Sequence, residues 1–438
     1  GSLRSRRRAG RVGHRRRAGG AVLMVTLGAC GAPRVAPVTP GPFTFSGRAL
    51  IVASDGDQVA TAYADGRLGR VEGLADSLTI IARRALPIGS SVVGWPGMIA
   101  ADTAFRSVFV VEARGRPAAG ISQVARPAQG LPAGRRLMHI ARRDTAFATR
   151  VVDVGHNPAA VALAPRGDLL VVGTEDTTGA LRFAALRDGA IEHSFEAVAL
   201  PPDRATRPRV SALAWHPAGS HLAVIVDERL VRIARVERAG AGPSATIQVR
   251  WLGDALAPGR RLAGGRFTPD GRHLLVTDVA TGGSPRDFLL NPPGQLVAIA
   301  IDTLAGAHRV SVRTEVGLVP EGLALTPDGR FAVTVNMRRT YLPRWRGPLP
   351  VGLWPGRAHA SLTLVELALD RDAMRVVDEY GFPGLLPEQA VFDRDGATLA
   401  VAIYHDREPA PRRGAVEFWR LVRAPVARLE RTALRVPV

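Results

Sequence analysis

The chain has 438 residues and a formal net charge of +19, and all 58 of its basic residues are arginine. Its single cysteine excludes an intrachain disulfide and a cysteine-based zinc site, and a hydrophobic fraction of 46% excludes a disordered or collagen-like chain. The total absence of lysine beside abundant Ala, Gly and Arg reads as compositional bias rather than as a polycation built for nucleic acid.

Residues 1–20 hold eight arginines and no acid, and the apolar run Ala21 to Ala29 leads to Cys30. A basic stretch, a short apolar stretch and small residues in that order are the plan of a secretory leader. The apolar run is too short to cross a bilayer, which takes about 20 residues. The string Leu27-Gly28-Ala29-Cys30 resembles the bacterial lipobox. The resemblance implies cleavage before Cys30 and lipidation of Cys30 as the mature N-terminus. The expected place is then the cell envelope, lipid-anchored and periplasm-facing or surface-exposed, with the membrane as a partner and no access to nucleic acid. Residues 1–29 are the leader in this reading, and the Pro-rich residues 30–42 are an extended tether.

Beyond residue 42 the chain repeats. Residues 158–172, 210–226, 262–276, 320–335 and 387–403 each read as a short apolar strand, a turn ending in Gly and a second apolar strand. The turn prolines Pro165, Pro217, Pro269 and Pro327 are spaced by 52, 52 and 58 residues. Asp-Gly between apolar runs is a strong hairpin signal, because Gly accepts the positive φ of such turns. Two further strand-like runs follow each hairpin, for example 295–301 with 308–313, and 361–369 with 374–380. Weaker copies lie at 96–111, followed by 136–141 and 147–154, and at 48–63, followed by 77–83 and 85–93. No helical period runs through the units.

Four-stranded units at this period predict an all-β, seven-bladed β-propeller of antiparallel blades. The blade boundaries expected are 43–94, 95–155, 156–208, 209–260, 261–318, 319–385 and 386–438. The segment PEGLALTPDGRFAVTVN at 320–336 resembles the YVTN-repeat, lactonase-like propellers of bacteria, and the resemblance covers about residues 43–438 at the level of repeats. It implies a fold that hosts enzymes, binding modules and scaffolds alike.

Within each blade the loops between first and second strands are tight turns. The second-to-third-strand loops 112–135, 280–294, 337–360 and 405–413 are long, and long loops on a rigid ring carry binding residues. The face holding these loops, together with the blade-to-blade connections, is therefore the expected working face. The first strands are expected to begin there, at Arg48, Gly97, Ala159, Ser211, Ala263, Glu321 and Glu388. His156, Asn336, Tyr404 and His405 are expected on the same face. Two close carboxylates, Glu321 and Glu388, can divide acid and base roles, and Arg48 beside them can stabilise an oxyanion, with His405 nearby. Lactone hydrolysis suits that set. The same charges can instead neutralise one another as structural ion pairs.

The 337–360 loop interleaves Arg344 and Arg346 with Trp345 and Trp354, residues suited to an interface or to an anionic ligand. No zinc motif, phosphate-binding loop or nucleophile elbow occurs, and Asp393-Arg394-Asp395-Gly396 reads as a hairpin turn rather than a calcium loop. No cofactor or metal is expected. With no recognisable nucleophile, the sequence favours a scaffold binding an unidentified protein or an anionic small molecule at the channel mouth. A lactonase-like hydrolase using Glu321 and Glu388 is the alternative.

Overall fold

Turn chemistry builds the repeat. Thr268 Oγ1 donates to Asp270 Oδ1 at 2.6 Å and accepts from the His273 N–H at 3.1 Å. Thr326 makes the same two bonds with Asp328 and Phe331, at 2.6 and 3.0 Å. Gly271 and Gly329 close these turns at φ of 74° and 70°, where a side chain is strained. The turns also nest round the ring: a Cβ on Gly329 would lie 3.2 Å from Pro269, and one on Gly396 only 2.7 Å from Pro327.

The computed structural model describes residues 34–438 except 40–43, 55–76, 83–89, 92–94, 116–117, 119, 122–130, 144–145, 193–194, 202–207, 241–245, 281–291, 339–358 and 406–413. The described residues form seven sheets in chain order. A short N-terminal strand, β1 (Val38–Thr39), precedes them. The first sheet holds β2 (Ala49–Ser54), β3 (Ser77–Ala82) and β4 (Ser90–Ser91). The second holds β5 (Trp95–Ala101), β6 (Ser107–Arg114), β7 (Arg136–Arg143) and β8 (Ala146–Asp153). The third holds β9 (Ala160–Leu163), β10 (Leu169–Gly173), β11 (Leu181–Arg187), β12 (Ala190–Ile191) and β13 (Glu196–Val198). The fourth holds β14 (Val210–Trp215), β15 (His221–Val226), β16 (Leu230–Ala239) and β17 (Thr246–Leu256). The fifth holds β18 (Leu262–Phe267), β19 (His273–Asp278), β20 (Gly294–Ala300) and β21 (Arg309–Val316). The sixth holds β22 (Pro320–Leu325), β23 (Phe331–Asn336), β24 (His359–Ala368) and β25 (Ala373–Pro383). The seventh holds β26 (Leu385–Phe392), β27 (Thr398–His405), β28 (Ala415–Val422) and β29 (Arg428–Pro437). All neighbouring strands within the sheets are antiparallel, apart from β1, which adds to β29 in parallel.

Apolar side chains on both faces of each sheet meet those of the next, because a sheet buried on two sides must be apolar on two sides. Val333, Leu362 and Phe382 of the sixth sheet pack with Val401 and Trp419 of the seventh. Leu275 and Leu296 of the fifth meet Ala332 and Val365 of the sixth. The ring closes where Leu50 and Val52 of the first sheet meet Ala400, Val416 and Phe418 of the last. The architecture is a β-propeller, with the first strands innermost.

The Pro-rich N-terminal stretch does not hang free over Arg34–Thr39. Gly381 N–H donates to Arg34 O at 3.0 Å, Ala36 N–H donates to Gly381 O at 2.9 Å, and Val38 pairs with Arg431. The segment is a strap across the outer edges of the sixth and seventh sheets.

The first sheet corrects the hairpin expected over 48–63. β2 pairs with β3, from Ala49↔Ala82 to Ser54↔Ser77. The chain leading into β2 lies against the turn of the last sheet, where Thr398 Oγ1 donates to Thr44 O at 2.7 Å and Arg394 N–H donates to Ser46 O at 2.8 Å. β2 thus starts at the face carrying the tight turns and runs in the direction of the second strands, not the first. The Asp55-Gly56 signal lies outside the described residues.

Candidate functional site

Each innermost strand carries an irregularity near its start, at the face opposite the tight turns. The pairing register shifts between Val210 and Ala212, Leu262 and Gly264, Pro320 and Gly322, and Pro387 and Gln389. The residues left over are Ser211, Ala263, Glu321 and Glu388. A bulge leaves one residue out of the ladder and re-aims its side chain. The repeat therefore delivers one re-aimed residue per sheet at the mouth, and in the sixth and seventh sheets that residue is a glutamate.

Glu321 and Glu388 sit on adjacent strands that come very close: a Cβ on Gly322 would be 2.6 Å from Glu388 O. Their environments differ. Glu388 is exposed, whereas Glu321 is only partly accessible. Among the described residues, no hydrogen bond or ion pair reaches the Glu321 carboxylate. Burial pushes its pKa up to about 7, with Arg261 pulling it down and Glu228 pushing it up. The second carboxylate acting on Glu321 is thus Glu228, not the Glu388 that the sequence suggested.

Arg261 and Glu228 belong to a chain of alternating charges round the mouth. Arg114 Nη2 lies 3.4 Å from Glu175 Oε1, Arg209 Nε 3.8 Å from the same oxygen, and Arg209 Nη2 3.2 Å from Glu228 Oε1. Arg261 Nε donates to Glu228 Oε2 at 2.9 Å. Asn157 Nδ2 adds a 2.6 Å bond to Glu175 Oε2. The chain ends at Glu321, so the run of paired charges crosses from the second sheet to the sixth. Sequence reading missed these residues, though a signal existed. Arg209 and Arg261 each lie eight residues before their turn proline, and Glu228 lies eleven after Pro217.

Two expected site residues are placed elsewhere. Arg48 is exposed at the opposite face, with its Nη1 donating to Ala104 O at 3.3 Å in the turn between β5 and β6. The reversed role of β2 carries it there. Asn336 is fully buried in the sixth sheet rather than aimed at the channel. Its Nδ2 donates to Ser361 Oγ at 3.0 Å and to Thr363 Oγ1 at 2.9 Å, and its Oδ1 accepts from Thr334 Oγ1 at 2.9 Å. Ser361 Oγ donates in turn to Glu379 Oε1 at 2.6 Å, which also accepts from Arg338 Nη1 at 2.7 Å. With its amide hydrogens committed, Asn336 is a structural residue.

His156 is exposed at the mouth, and its backbone N–H donates to Asp176 Oδ2 at 3.3 Å. Tyr404 and His405 end β27, with His405 paired to Leu385, so their backbones lie on the same face. Arg344, Trp345, Arg346 and Trp354 lie outside the described residues, as does Cys30. No group of three or more His, Cys, Asp or Glu among the described residues is arranged to hold a metal ion. A Ser–His contact does occur, between Ser107 Oγ and His139 Nε2 at 3.0 Å, but both residues are buried and Ser107 donates to Gly189 O.

No family model and no curated protein matches the sequence. Solved structures do match. The periplasmic gluconolactonase of Pseudomonas aeruginosa is 16% identical with a TM-score of 0.57, over 89% of this chain and 96% of that one. A candidate 6-phosphogluconolactonase of Bacteroides fragilis is 14% identical with a TM-score of 0.55, over 91% and 97%. A protein of unknown function from Desulfotomaculum acetoxidans is 10% identical with a TM-score of 0.54, over 82% and 92%. These likenesses are of fold.

Proposed function

We propose that the protein is a hydrolase of lactones or similar cyclic esters, built on a seven-bladed ring and held at the cell envelope by lipidated Cys30. The observation that carries the reading is Glu321. It is a re-aimed, enclosed carboxyl at the channel mouth, with no hydrogen bond or ion pair among the described residues and a pKa raised to about 7. Carboxylates of a purely structural role are normally bonded, as Glu175, Glu228 and Glu379 are here. The gluconolactonases among the structural relatives support the reaction class.

In the reaction, the Glu321 carboxylate takes a proton from water as that water's oxygen bonds to the lactone carbonyl carbon. The carbonyl oxygen becomes an oxyanion, and the positive charge of Arg261 stands on the side of the mouth that Glu321 faces. The tetrahedral intermediate then breaks its bond to the ring oxygen. That alkoxide takes the proton back from Glu321, leaving a hydroxy acid and the original carboxylate. A pKa near the working pH suits a group that must both accept and return a proton. This step needs no nucleophilic side chain, so the lack of a nucleophile motif ceases to argue for a scaffold.

A lactone panel assayed with wild type and Glu321→Gln tests the chemistry, and the variant is expected to lose at least about a hundredfold in kcat. Membrane fractionation tests the address: Cys30→Ala is expected to move the protein to the soluble fraction. A wild-type chain that carries no lipid and keeps residues 1–29 contradicts the anchor.

A further inference from the structure

Arg266 breaks the repeat. Three residues before the turn proline, the other copies have Ala162, Ala214 and Ala324, and this one has an arginine. It stands on the innermost strand β18 and reaches the next sheet, where its Nε donates to Leu323 O on β22 at 2.8 Å. Among the described residues it has no carboxylate partner, unlike Arg114, Arg209 and Arg261 at the mouth. Protein surrounds it, and burial alone lowers its pKa, yet water still reaches it. A cation enclosed in protein without a counter-charge is costly, so its retention asks for an anion that comes from outside.

The surroundings leave room for one. Gly264 lies two residues before Arg266, on the same side of the strand. A Cβ there would meet nothing within 4 Å. Glu321 leans into the same seam from the other side, since the charges it feels are Arg261 and Glu228, which flank β18 and β14. Leu323, which Arg266 touches, is two residues along β22 from Glu321, a step of about 7 Å at 3.3 Å per residue.

We infer that the seam between β18 and β22 binds a small molecule carrying an anionic group, with Arg266 holding the anion and the space beside Gly264 admitting it. The guanidinium fork fits a carboxylate, a phosphate or a sulfate. On the hydrolase reading, the reacting carbonyl lies at Glu321, nearer the mouth, and Arg266 selects substrates with the anion at that reach. The anion site itself does not depend on that reading.

The test is calorimetric titration of inorganic phosphate into the full chain, with thermal melts alongside. Wild type is expected to bind phosphate at a site that Arg266→Met weakens at least tenfold, that Arg266→Lys partly keeps, and that Glu321→Gln leaves intact. Without phosphate, Arg266→Met is expected to melt above wild type, because an uncompensated charge has gone; phosphate should raise the wild-type melting temperature and leave the variant's unchanged. Equal phosphate binding by wild type and Arg266→Met overturns the inference, as does a variant that melts below wild type while wild type shows no phosphate-dependent shift. Loss of phosphate binding in Arg266→Met beside a wild type that hydrolyses no lactone keeps the anion site and removes the hydrolase reading. Equal hydrolysis of neutral and anionic lactones, unchanged by Arg266→Met, does the reverse.

Discussion

Two polar groups of the sixth sheet lie almost side by side and have opposite characters. Pro320 of β22 pairs with Asn336 of β23, and Glu321 is the next residue along. Asn336 is sealed in a network whose hydroxyls, carboxylate and guanidinium all have partners. Glu321, one position away, has none among the described residues and is held half-enclosed at a pKa of about 7. A closed network fixes a structure and leaves nothing to offer a ligand. An open carboxyl in a similar place is strained until something binds or reacts there. The contrast separates framework from site within one sheet, and each half of it can be broken separately.

The largest effect comes from removing the frame both residues share. Deleting residues 386–438 takes away Trp419, fully buried against Phe382, and the closure onto Leu50 and Val52. Cooperative unfolding is expected to vanish, because each sheet relies on two neighbours. A truncated chain with an unchanged melt contradicts the closed ring. Glu321→Gln is the next largest, with kcat down at least about a hundredfold on a lactone substrate and no loss of fold. Asn336→Ala should do the opposite. It strands Thr334, Ser361 and Thr363 without the amide and is expected to cost about 1–3 kcal/mol in denaturant melts while sparing kcat.

The smallest effect sharpens the contrast by pH. The Glu321 pKa is raised from 4.5 to about 7 by folding, so the folded state holds the proton more tightly. Its contribution to stability is fully present below about pH 4.5 and is lost as pH rises through 7. Glu321→Gln should therefore stabilise the protein at pH 8, by at most about 3 kcal/mol at 1.36 kcal/mol per unit, and change little at pH 4. Asn336 carries no titrating group, so the loss in Asn336→Ala should be the same at both. Equal pH dependence in the two variants removes the distinction.

The hairpin turns made the fold legible in sequence. Thr-Pro-Asp-Gly at 268–271 and 326–329 announces both its hydrogen bonds and its Gly conformation, and spacing from the turns finds the bulge residues Ser211, Ala263, Glu321 and Glu388. The alignment failed where no such turn anchored it, at Arg48, because strand order and direction in the first sheet cannot be counted from a missing proline. It failed at Asn336 for another reason: a strand-end residue faces the channel or a neighbouring sheet according to one step of pleat, which composition does not reveal. The Arg114–Glu175–Arg209–Glu228–Arg261 chain was hidden because its ion pairs join residues on separate sheets. Arg266 was visible as an arginine among alanines, but its missing counter-charge is a property of the folded seam alone.

The pH dependence of kcat/KM for lactone hydrolysis, in wild type and in Glu228→Gln, tests the central claim most directly. Glu228 raises the Glu321 pKa without being the base. The wild-type rate should rise with pH through a limb centred near 7, the value Glu321 is held at, and the limb should move to lower pH in Glu228→Gln with kcat at its plateau kept. A limb that ignores Glu228→Gln, or an equal rate at pH 5 and pH 9, contradicts Glu321 as the proton-transferring group.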